Sequence, residues 1–514
     1  MQRKLLLFVL CLVLITLSGC SNKPSGQAIE IATPTRLVAT ETSVLLEPTA
    51  TESLMTPPTA TETAIVATID PATATEVVAM PEATDTPQPV AMLTALNSDD
   101  LWAAIDPSNQ NVTFWHRHTK FRQKILNEIV DNFNKNNPYG IWVKAESYED
   151  YGKLFDSTME ALNSAEAPSL VLGFQSDLAS YSLADGSVDL TSLFNSQRWG
   201  ISAEERSDFF AWALDAELAP NLGNVRTGLP MDRSADVLFA NRNWLDELGI
   251  TSLPKTPEEF HSAACAASQQ PFSLDKRGKG IGFELSDNAS TFASWVFAFG
   301  GNIYDVTTGQ FTLDSEEAQA AWTFVQGLIQ EGCAQIAGER YGDQTDFGNG
   351  VALFAVGASN SFYFFNRAVE EGADFQWEVS PLPHMTEKAI LNLSGPSIAL
   401  IKSTPEQELA AWLFLKHYAS AEMQAKWARA VEGFPIRGSA FEQMSSYLDD
   451  SPAYQSLVAF LPDGRSEPSV PGYSFIRSAM SDAIVAIAGG ADVQATLHQL
   501  NAEANKMLEK QVKQ

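Results

Sequence analysis

Basic residues are scarce in this chain. Its 514 residues include 33 Lys and Arg against 63 Asp and Glu, which gives a formal net charge of −30 at pH 7. Binding to nucleic-acid phosphates requires basic surface, so this composition argues against nucleic acid as a partner. Net charge carries no information about the fold, which has to come from the pattern of residues.

Recognisable catalytic motifs are also missing. The chain contains no G-x-S-x-G, no phosphate-binding P-loop, no H-E-x-x-H and no dinucleotide-binding glycine pattern. His116 and His118 lie two residues apart, but nothing in the sequence supplies further ligands for a metal there, and residues 343–346 and 449–450 lack the ligand spacing of a calcium loop. We therefore expect no metal site and no cofactor. A glycosidase remains an open alternative, because its paired carboxylates leave no local pattern.

Aromatic residues are absent between residues 21 and 100. This segment is rich in Thr, Ala, Pro and Glu, and Thr-Ala-Thr-Glu recurs at Thr49, Thr59 and Thr73 with irregular spacing. Such a composition buries too little apolar surface to offset chain entropy. We interpret residues 20–101 as a disordered tether, whose root-mean-square span would be roughly 50 Å.

Residues 1–20 are typical of an export signal. Arg3 and Lys4 precede an apolar stretch at 5–17, which is shorter than the roughly 20 apolar residues that span a bilayer. The stretch ends in Leu17-Ser18-Gly19-Cys20, which resembles the lipobox of bacterial lipoproteins. The resemblance implies a signal peptide at 1–19, lipidation of Cys20 and an extracytoplasmic protein anchored to the cell membrane. An ordinary signal with an incidental cysteine is the alternative.

Cysteine is scarce as well, with four residues in the chain. Cys11 lies in the export signal and Cys20 is assigned to the lipid, which leaves Cys265 and Cys333. The spacings fit no metal motif. Outside the cytoplasm two remaining cysteines favour a disulfide, with two free buried thiols as the alternative.

The globular part begins at Trp102 and extends to about residue 508. Short apolar runs predict strands at 112–115, 141–143 and 169–173, and apolar residues at helical spacing predict intervening helices at 123–136 and 154–165. This alternation indicates βαβ units on a mostly parallel sheet. Further helices are predicted at 257–267, 315–331, 405–418, 421–431 and 490–508. Roughly 400 residues are too many for one core, so we expect two lobes.

A series of short motifs follows in order along the globular part. They include Phe114-Trp115-His116, Phe133-Asn134-Lys135-Asn136-Asn137-Pro138, Gly228-Leu229-Pro230-Met231-Asp232, Pro254-Lys255-Thr256-Pro257-Glu258-Glu259-Phe260, Gly300-Gly301-Asn302, Gly395-Pro396-Ser397 and Gly433-Phe434-Pro435-Ile436-Arg437. Each motif is weak alone. The ordered series resembles the extracellular solute-binding proteins of ABC importers, in the branch that binds sugars and glycerol-3-phosphate.

The resemblance implies an α/β fold with two lobes, the type II periplasmic-binding-protein fold. Several chain crossings would join the lobes at a hinge, and a ligand would lie in the cleft between them. The implied boundaries are 102–231 and 397–434 for the first lobe, and 235–394 and 438–512 for the second. A ligand that bridges both lobes would favour the closed form, since it binds that form better.

Ligands of open α/β sheets lie beyond the carboxyl ends of the strands. That rule selects Trp115 and His116 after the first predicted strand, and Phe174, Gln175 and Asp177 after the third. The other candidates come from the resemblance or from the residue types that bind sugars, namely flat aromatic rings, hydroxyls, amides and charges. They are Tyr148, Asp232, Trp295, Asn302, Tyr341, Ser359, Asn360, Gly395 and Arg437.

The function implied by the resemblance is capture of a carbohydrate and its delivery to the permease subunits of an ABC transporter, by a monomer without catalytic residues. A binder of glycerol-3-phosphate or a glycerophosphodiester is the alternative within the family, with Arg437 as the obvious cation. A surface glycosidase, with Asp177 and Asp232 as its carboxylates, is the alternative from another class. A signalling or adhesion module on the same fold is a further one.

Overall fold

The computed structural model describes residues 100–275, 277–339 and 341–513. The predicted signal peptide, Cys20 and the predicted tether up to residue 99 lie outside these residues. Among the residues described, no helix combines the length and the apolar character needed to cross a membrane.

The described chain alternates strands and helices. The strands are β1 (Asn111–His116), β2 (Trp142–Ser147), β3 (Leu170–Gly173), β4 (Leu218–Ala219), β5 (Val225–Arg226), β6 (Leu229–Pro230), β7 (Ser234–Asn241), β8 (Ile281–Leu285), β9 (Tyr304–Asp305), β10 (Gln310–Phe311), β11 (Ala334–Ile336), β12 (Ala352–Ala358), β13 (Trp377–Ser380), β14 (Asn392–Ser394), β15 (Ser397–Leu400) and β16 (Arg465–Ser466).

The helices are α1 (Lys120–Asn136), α2 (Tyr151–Ala161), α3 (Gln175–Leu183), α4 (Thr191–Asn195), α5 (Ala203–Asp208), α6 (Ala211–Asp215), α7 (Arg242–Glu247), α8 (Pro257–Gln269), α9 (Ala289–Ala298), α10 (Glu316–Gln330), α11 (Gly342–Gly348), α12 (Phe362–Glu371), α13 (Pro405–Tyr418), α14 (Ala421–Val431), α15 (Ser439–Glu442), α16 (Ser445–Asp449), α17 (Pro452–Val458), α18 (Tyr473–Ala488) and α19 (Val493–Val512). Short 3-10 turns lie at Pro220–Leu222, Ser359–Ser361 and Leu461–Asp463.

Local signals place the predicted helices well. The Thr404 side chain accepts a hydrogen bond from the Gln407 N–H, and Pro405 occupies the first turn, so α13 begins where the sequence predicts. Helix α14 also matches its predicted range, with Ser420 as its N-cap. Helix α18 lies outside the predicted helical ranges, although its buried residues Ile476, Met480, Ile484 and Ile487 recur at helical spacing.

Two large sheets organise the fold. The first has the order β2-β1-β3-β15-β6, with β1 parallel to β2 and β3, and β15 antiparallel to β3. The second has the order β11-β8-β12-β7-β14-β16, and β13 also pairs with β7. Strand β7 is buried along all eight residues because helices and neighbouring strands cover it on every side. These sheets and their helices give the predicted α/β organisation with two lobes.

The chain passes directly from one sheet to the other at two places. Residues 231–233 join β6 of the first sheet to β7 of the second, and residues 395–396 join β14 of the second sheet to β15 of the first. We call these two segments the crossings. The Arg233 N–H donates to the Phe434 carbonyl, so the segment after α14 lies beside the first crossing.

Cys265 of α8 and Cys333, just before β11, form a disulfide with their Cα atoms 4.5 Å apart. The disulfide predicted from the sequence is therefore confirmed. It links two elements that are 68 residues apart along the chain.

Candidate ligand-binding site

The parallel strands of the first sheet end at one common edge. β1 ends at His116, β2 at Ser147 and β3 at Gly173, and the register aligns these ends, with His116 opposite Ser147. The residues that follow are Arg117, Tyr148 and Phe174. Helices α2 and α3 begin a few residues later, so their N-termini lie at the same edge.

The crossings bring this edge next to the second sheet. Gly173 at the end of β3 pairs with Ser397, the first residue after the second crossing. On the other side, Ser394 pairs with Ser234, and Ala358 at the end of β12 pairs with Asp236. The carboxyl ends of β3 and β12 therefore both border the crossings. The Ser469 hydroxyl, which follows β16, also donates to the Gln175 carbonyl at 3.4 Å.

Two aromatic rings lie together at the edge of the first sheet. The rings of Tyr151 and Phe174 have their centroids 4.7 Å apart, and Phe174 is 41% exposed. The Arg117 guanidinium lies 5.2 Å from the centroid of the Tyr151 ring, within the range of a cation–π contact. The structure thus provides a partly exposed apolar face with a cation at its border.

Charged groups surround these rings. Burial raises the pKa of Asp232, and the Trp427 hydrogen bond and the charges of Arg233 and, more weakly, Arg122 oppose that rise. Burial also raises the pKa of Glu432, against a hydrogen bond from the Tyr363 N–H and the charge of Arg122. Tyr363, near the start of α12, is 58% exposed. The charge of Arg122 therefore acts on two acidic groups, Asp232 on the first crossing and Glu432 directly after α14.

Asp177 is half-buried at the N-terminus of α3. One of its carboxylate oxygens accepts the Phe174 N–H at 3.0 Å, which caps the helix. Burial nevertheless raises the pKa of Asp177 to about 6, since the hydrogen bonds compensate only part of the lost hydration.

We expect the substitution Asp177→Asn to change how stability depends on pH. Because burial raises the pKa from 3.8 to about 6, the folded state holds a proton between these values that the unfolded state has released. The stabilisation is complete below about pH 4 and is lost as the pH rises through about 6. Asn keeps an acceptor for the Phe174 N–H but does not titrate. Urea denaturation between about pH 4 and 7 should therefore show a flatter profile for the variant.

The substitution His118→Gln serves as a comparison of opposite sign. Burial lowers the pKa of His118 from 6.5 to about 3, so its stabilisation is present above about pH 6.5 and is lost as the pH falls. Replacing His118 with Gln should therefore make the free energy of unfolding depend less on pH on the acid side. Profiles of wild type and Asp177→Asn that superpose would contradict the raised pKa of Asp177.

Trp115 and Tyr148, two of the predicted candidates, lie on the β1 and β2 side of the first sheet. The Trp115 indole N–H donates to the Glu146 carboxylate at 3.1 Å, and the Trp115 ring centroid lies 4.8 Å from that of Tyr148. Both side chains are only half-buried. They form an aromatic pair on the β1 and β2 side of the edge.

His116 is another of the predicted candidates. It is completely buried, and its Nδ1 accepts the His118 N–H at 3.1 Å. Burial lowers its pKa to about 4, so the ring is neutral at physiological pH. His116 therefore packs beneath the edge and not on its surface, and a direct contact with a ligand stays a prediction.

Gln175 belongs to a buried polar network at the crossings. Its amide nitrogen lies 2.9 Å from the Ser397 hydroxyl, 3.1 Å from Glu217 Oε1 and 3.2 Å from the Gly395 carbonyl. Gly395 was predicted at the site. A Cβ there would lie 2.7 Å from the Asp232 carbonyl, so the close approach of the two crossings requires glycine.

A buried ion pair forms the centre of this network. The Arg233 guanidinium lies 2.5 Å from Glu217, with their side chains 1% and 0% exposed. It also donates to the carbonyls of Asp232 and Pro396. Neither Glu217 nor Arg233 was predicted, because a single charge in a sequence gives no sign of its partner when 16 residues separate the two.

Trp295 and Arg437 do not lie at this site, contrary to the prediction. Trp295 is completely buried in α9, against the rings of Phe260 and Phe283. Trp295 is therefore a core residue of the second lobe. Arg437 forms an ion pair with Asp208 and donates to the Ala419 carbonyl, so it holds surface segments of the first lobe together.

The remaining candidates belong to the second sheet and its surroundings. Ser359 is completely buried, and its hydroxyl accepts the Ala235 N–H at 3.1 Å, so it fixes the turn after β12. Asn360 follows it and is half-buried at the same edge. Asn302 is exposed and accepts a hydrogen bond from Arg465 at 2.8 Å. Tyr341 is 62% exposed at the start of α11, which places it on the surface.

A second polar network lies in the second lobe, and sequence reasoning missed it. The Asn392 amide donates to Glu467 and to the Ser294 hydroxyl, and Ser294 donates to Asp236 at 2.8 Å. Glu467 also forms an ion pair with Arg477. Burial raises the pKa of Asp236 to about 6. These groups fix the start of β7 next to the first crossing.

A concave region of about 540 Å³ lies away from the crossings. It is lined by Asn221, Gln310 and residues of α19 such as Asn505 and Lys506. The parallel strands of the first sheet do not end there, so we do not assign it as the candidate site.

The match to a protein family agrees with this geometry. The model of a family described as bacterial extracellular solute-binding protein matches residues 128–461, which is more than half of the chain. A protein of Brucella abortus (strain 2308) described as a binding protein is 24% identical over 390 residues, which cover 71% of this chain and 92% of that protein.

Solved structures have the same fold. The sugar-binding protein MalE from Xanthomonas citri superposes with a TM-score of 0.67 and 18% identity, over 78% of this chain and 98% of that one. The cyclic α-maltosyl-1,6-maltose binding protein from Arthrobacter globiformis superposes with a TM-score of 0.65 and 18% identity, over 78% of this chain and 99% of that one. UgpB from Mycobacterium tuberculosis, in complex with glycerophosphocholine, superposes with a TM-score of 0.63 and 21% identity, over 78% of this chain and 99% of that one. At these identities the likeness establishes the two-lobe fold.

Proposed function

The chain belongs to the bacterial extracellular solute-binding proteins, and from this premise we propose that it captures a carbohydrate between its two lobes and delivers it to an ABC-type permease. The observation that supports a carbohydrate is the pair of Tyr151 and Phe174 rings beside Gln175 and Asp177. Flat rings cover the apolar faces of a sugar, and amide and carboxylate groups bind its hydroxyls. Two structural relatives are described as sugar or maltosyl-maltose binders.

A glycerol phosphate ester is the second candidate. It is supported by Arg117 and Arg122, two half-buried guanidinium groups at the site. Guanidinium groups bind phosphate with charge-assisted hydrogen bonds. Arg437, the cation expected from the sequence, pairs with Asp208 instead. A relative of known structure holds glycerophosphocholine.

The proposal leaves out the glycosidase. The family consists of solute-binding proteins and not of enzymes.

The receptor we propose is held at the membrane by a lipid on Cys20 and reaches outward on the tether of residues 20–101. Its first lobe comprises 102–231 and 397–434, and its second comprises 235–394 and 438–512. A ligand that touches both lobes would draw them together by hinge motion at the crossings. The tether would keep the receptor within roughly 50 Å of its permease, where a high local concentration replaces high affinity.

A thermal-shift panel on the full-length chain tests the ligand class. Neutral mono- and oligosaccharides, glycerol-3-phosphate and glycerophosphocholine would each be titrated. A true ligand at about 100 times its Kd adds about 2.7 kcal/mol of stability, which raises the Tm of a chain of this size by roughly 3 °C. The shift should saturate, whereas the stabilisation by excluded osmolytes grows without saturation.

The substitution Arg117→Gln separates the two ligand classes. It should abolish a shift caused by a phosphate ester and leave most of a shift caused by a neutral sugar. A saturating shift with a sugar supports the first proposal, and one with a phosphate ester alone supports the second. The absence of any saturating shift across the panel would contradict both.

A further inference from the structure

Three potential metal ligands lie together on the second lobe, away from the crossings. His261 Nε2 lies 2.7 Å from Glu331 Oε2 and 3.7 Å from Cys265 Sγ, and Cys265 Sγ lies 3.9 Å from Glu331 Oε2. All three ligand atoms are within 4.8 Å of one another. The fourth member is Cys333, which is bonded to Cys265.

The elements of the fold hold these side chains in place. His261 and Cys265 are four residues apart on α8, so they point to the same side of that helix. Glu331 is the C-cap residue directly after α10, and Cys333 follows it by two residues. The His261 and Glu331 side chains are 39% and 55% exposed, which leaves the cluster open to ions from solvent.

The two separations that involve Cys265 Sγ, 3.7 and 3.9 Å, are close to those of ligands around one zinc ion. The 2.7 Å between His261 and Glu331 is a hydrogen-bond distance, and these two exposed side chains would move slightly apart to hold a metal between them. Zinc binds thiolate at about 2.3 Å and imidazole or carboxylate at about 2.0–2.2 Å in a tetrahedron, so neighbouring ligand atoms lie roughly 3.3–3.8 Å apart. A disulfide sulfur is no longer a thiolate, and the thiolate is the form that binds the metal. The disulfide therefore removes the two strongest ligands from an otherwise suitable arrangement.

We propose that reduction of the Cys265–Cys333 disulfide creates a zinc site, with His261 Nε2, Glu331 and the two cysteine thiolates as ligands. A dithiol reductant supplies the two electrons: its sulfurs form a new disulfide, and Cys265 and Cys333 become thiols. Each thiol loses its proton when it binds zinc. The metal then closes the same loop of the chain that the disulfide closed, so the link between α8 and α10 is restored. This inference does not depend on the proposed function.

Zinc binding to the full-length chain in its oxidised and reduced forms tests the proposal. The chain is reduced with a dithiol, freed of reductant without air, and titrated with Zn²⁺ against a chromophoric chelator. We expect one ion per reduced chain, bound at least about 100-fold more tightly than by the oxidised chain. With Co²⁺, the reduced chain should show thiolate-to-metal charge-transfer absorption, which only sulfur ligands produce.

Variants assign the ligands. His261→Ala should weaken zinc binding at least about tenfold. The matched control is His498→Ala, because His498 forms a similar pair with Asp314, at 2.6 Å, and the described part of the chain places no third potential ligand beside that pair. It should leave binding unchanged. The double variant Cys265→Ser and Cys333→Ser should gain no zinc affinity on treatment with the reductant.

Binding by the folded protein must be distinguished from binding by an unfolded chain. If zinc binds the folded site, it raises the Tm of the reduced chain, whereas binding to unfolded cysteines lowers it. A lowered Tm, equal zinc affinities of the reduced and oxidised chains, or wild-type affinity in His261→Ala would each overturn the proposal.

Discussion

The substitution Arg233→Met is expected to lower the free energy of unfolding by about 3–5 kcal/mol. Arg233 and Glu217 form a buried ion pair at the crossings, with side chains 1% and 0% exposed. Methionine would leave the Glu217 carboxylate buried without its cation, and an unpaired buried charge is costly. Urea denaturation followed by tryptophan fluorescence measures the loss as a lower midpoint at unchanged slope.

A double substitution tests whether the stability loss in Arg233→Met comes from the broken ion pair or from poorer packing. Replacing both Glu217 and Arg233 with methionine removes the two charges together, and we expect it to recover most of the stability, since apolar replacements of buried ion pairs are often neutral. The Ser397 hydroxyl would still accept from the Gln175 amide at 2.9 Å. If the double variant is as unstable as Arg233→Met, the loss comes from packing and the electrostatic account is wrong.

An exposed ion pair provides the control for surface charge. Lys402 pairs with Asp185, and their side chains are 42% and 91% exposed. Lys402→Met should change the unfolding free energy by only about 0–1 kcal/mol, because water and salt screen such a pair. The contrast with Arg233→Met isolates burial as the cause.

The second large effect is expected on ligand affinity. Phe174→Ala should weaken binding of the ligand found in the thermal-shift panel roughly 30-fold, or about 2 kcal/mol, because it removes the exposed member of the Tyr151–Phe174 pair. Isothermal titration calorimetry would measure the change in Kd. Stability should fall little, since the ring is already 41% exposed in the free protein.

Two further variants define the surface involved. Tyr363→Ala removes an exposed ring from the other side of the crossings, so it should weaken binding as well if the ligand touches both lobes. Trp142→Ala is the matched control, because Trp142 is 59% exposed at the start of β2, the opposite end of that strand from the candidate site. Wild-type affinity in Phe174→Ala would place the ligand elsewhere, and weakening by Trp142→Ala would show that the effect is not local.

Much of the fold follows from local patterns. The helices at Pro405–Tyr418 and Ala421–Val431 lie where caps and apolar spacing predict them, and the first three predicted strands match β1, β2 and β3. The rule that ligands lie beyond the carboxyl ends of strands led to Gln175, which lies at the crossings, and to Asp177, which lies next to the aromatic pair. The motif series led to the correct family.

Predictions from residue type alone were wrong where burial decides what a side chain does. A tryptophan after a polar stretch and an arginine after a proline look alike in a core, on a surface or at a ligand. In the folded chain Trp295 packs among phenylalanines, and Arg437 is paired with Asp208. The cations at the site are instead Arg117 and Arg122, which lie just after β1 and whose position depends on the start of α1 at Lys120.

The sequence by itself determined the α/β class and the family, because periodicity and ordered motifs are local properties of a chain. It favoured a Cys265–Cys333 disulfide but left two free thiols open, and the structure decided for the disulfide. Only the tertiary structure decided which charges meet. Glu217 and Arg233 pair across 16 residues, and Ser397 joins them from 164 residues away. The reason is physical: the crossings exclude water, and in that environment a charge is tolerated only where the fold supplies its partner.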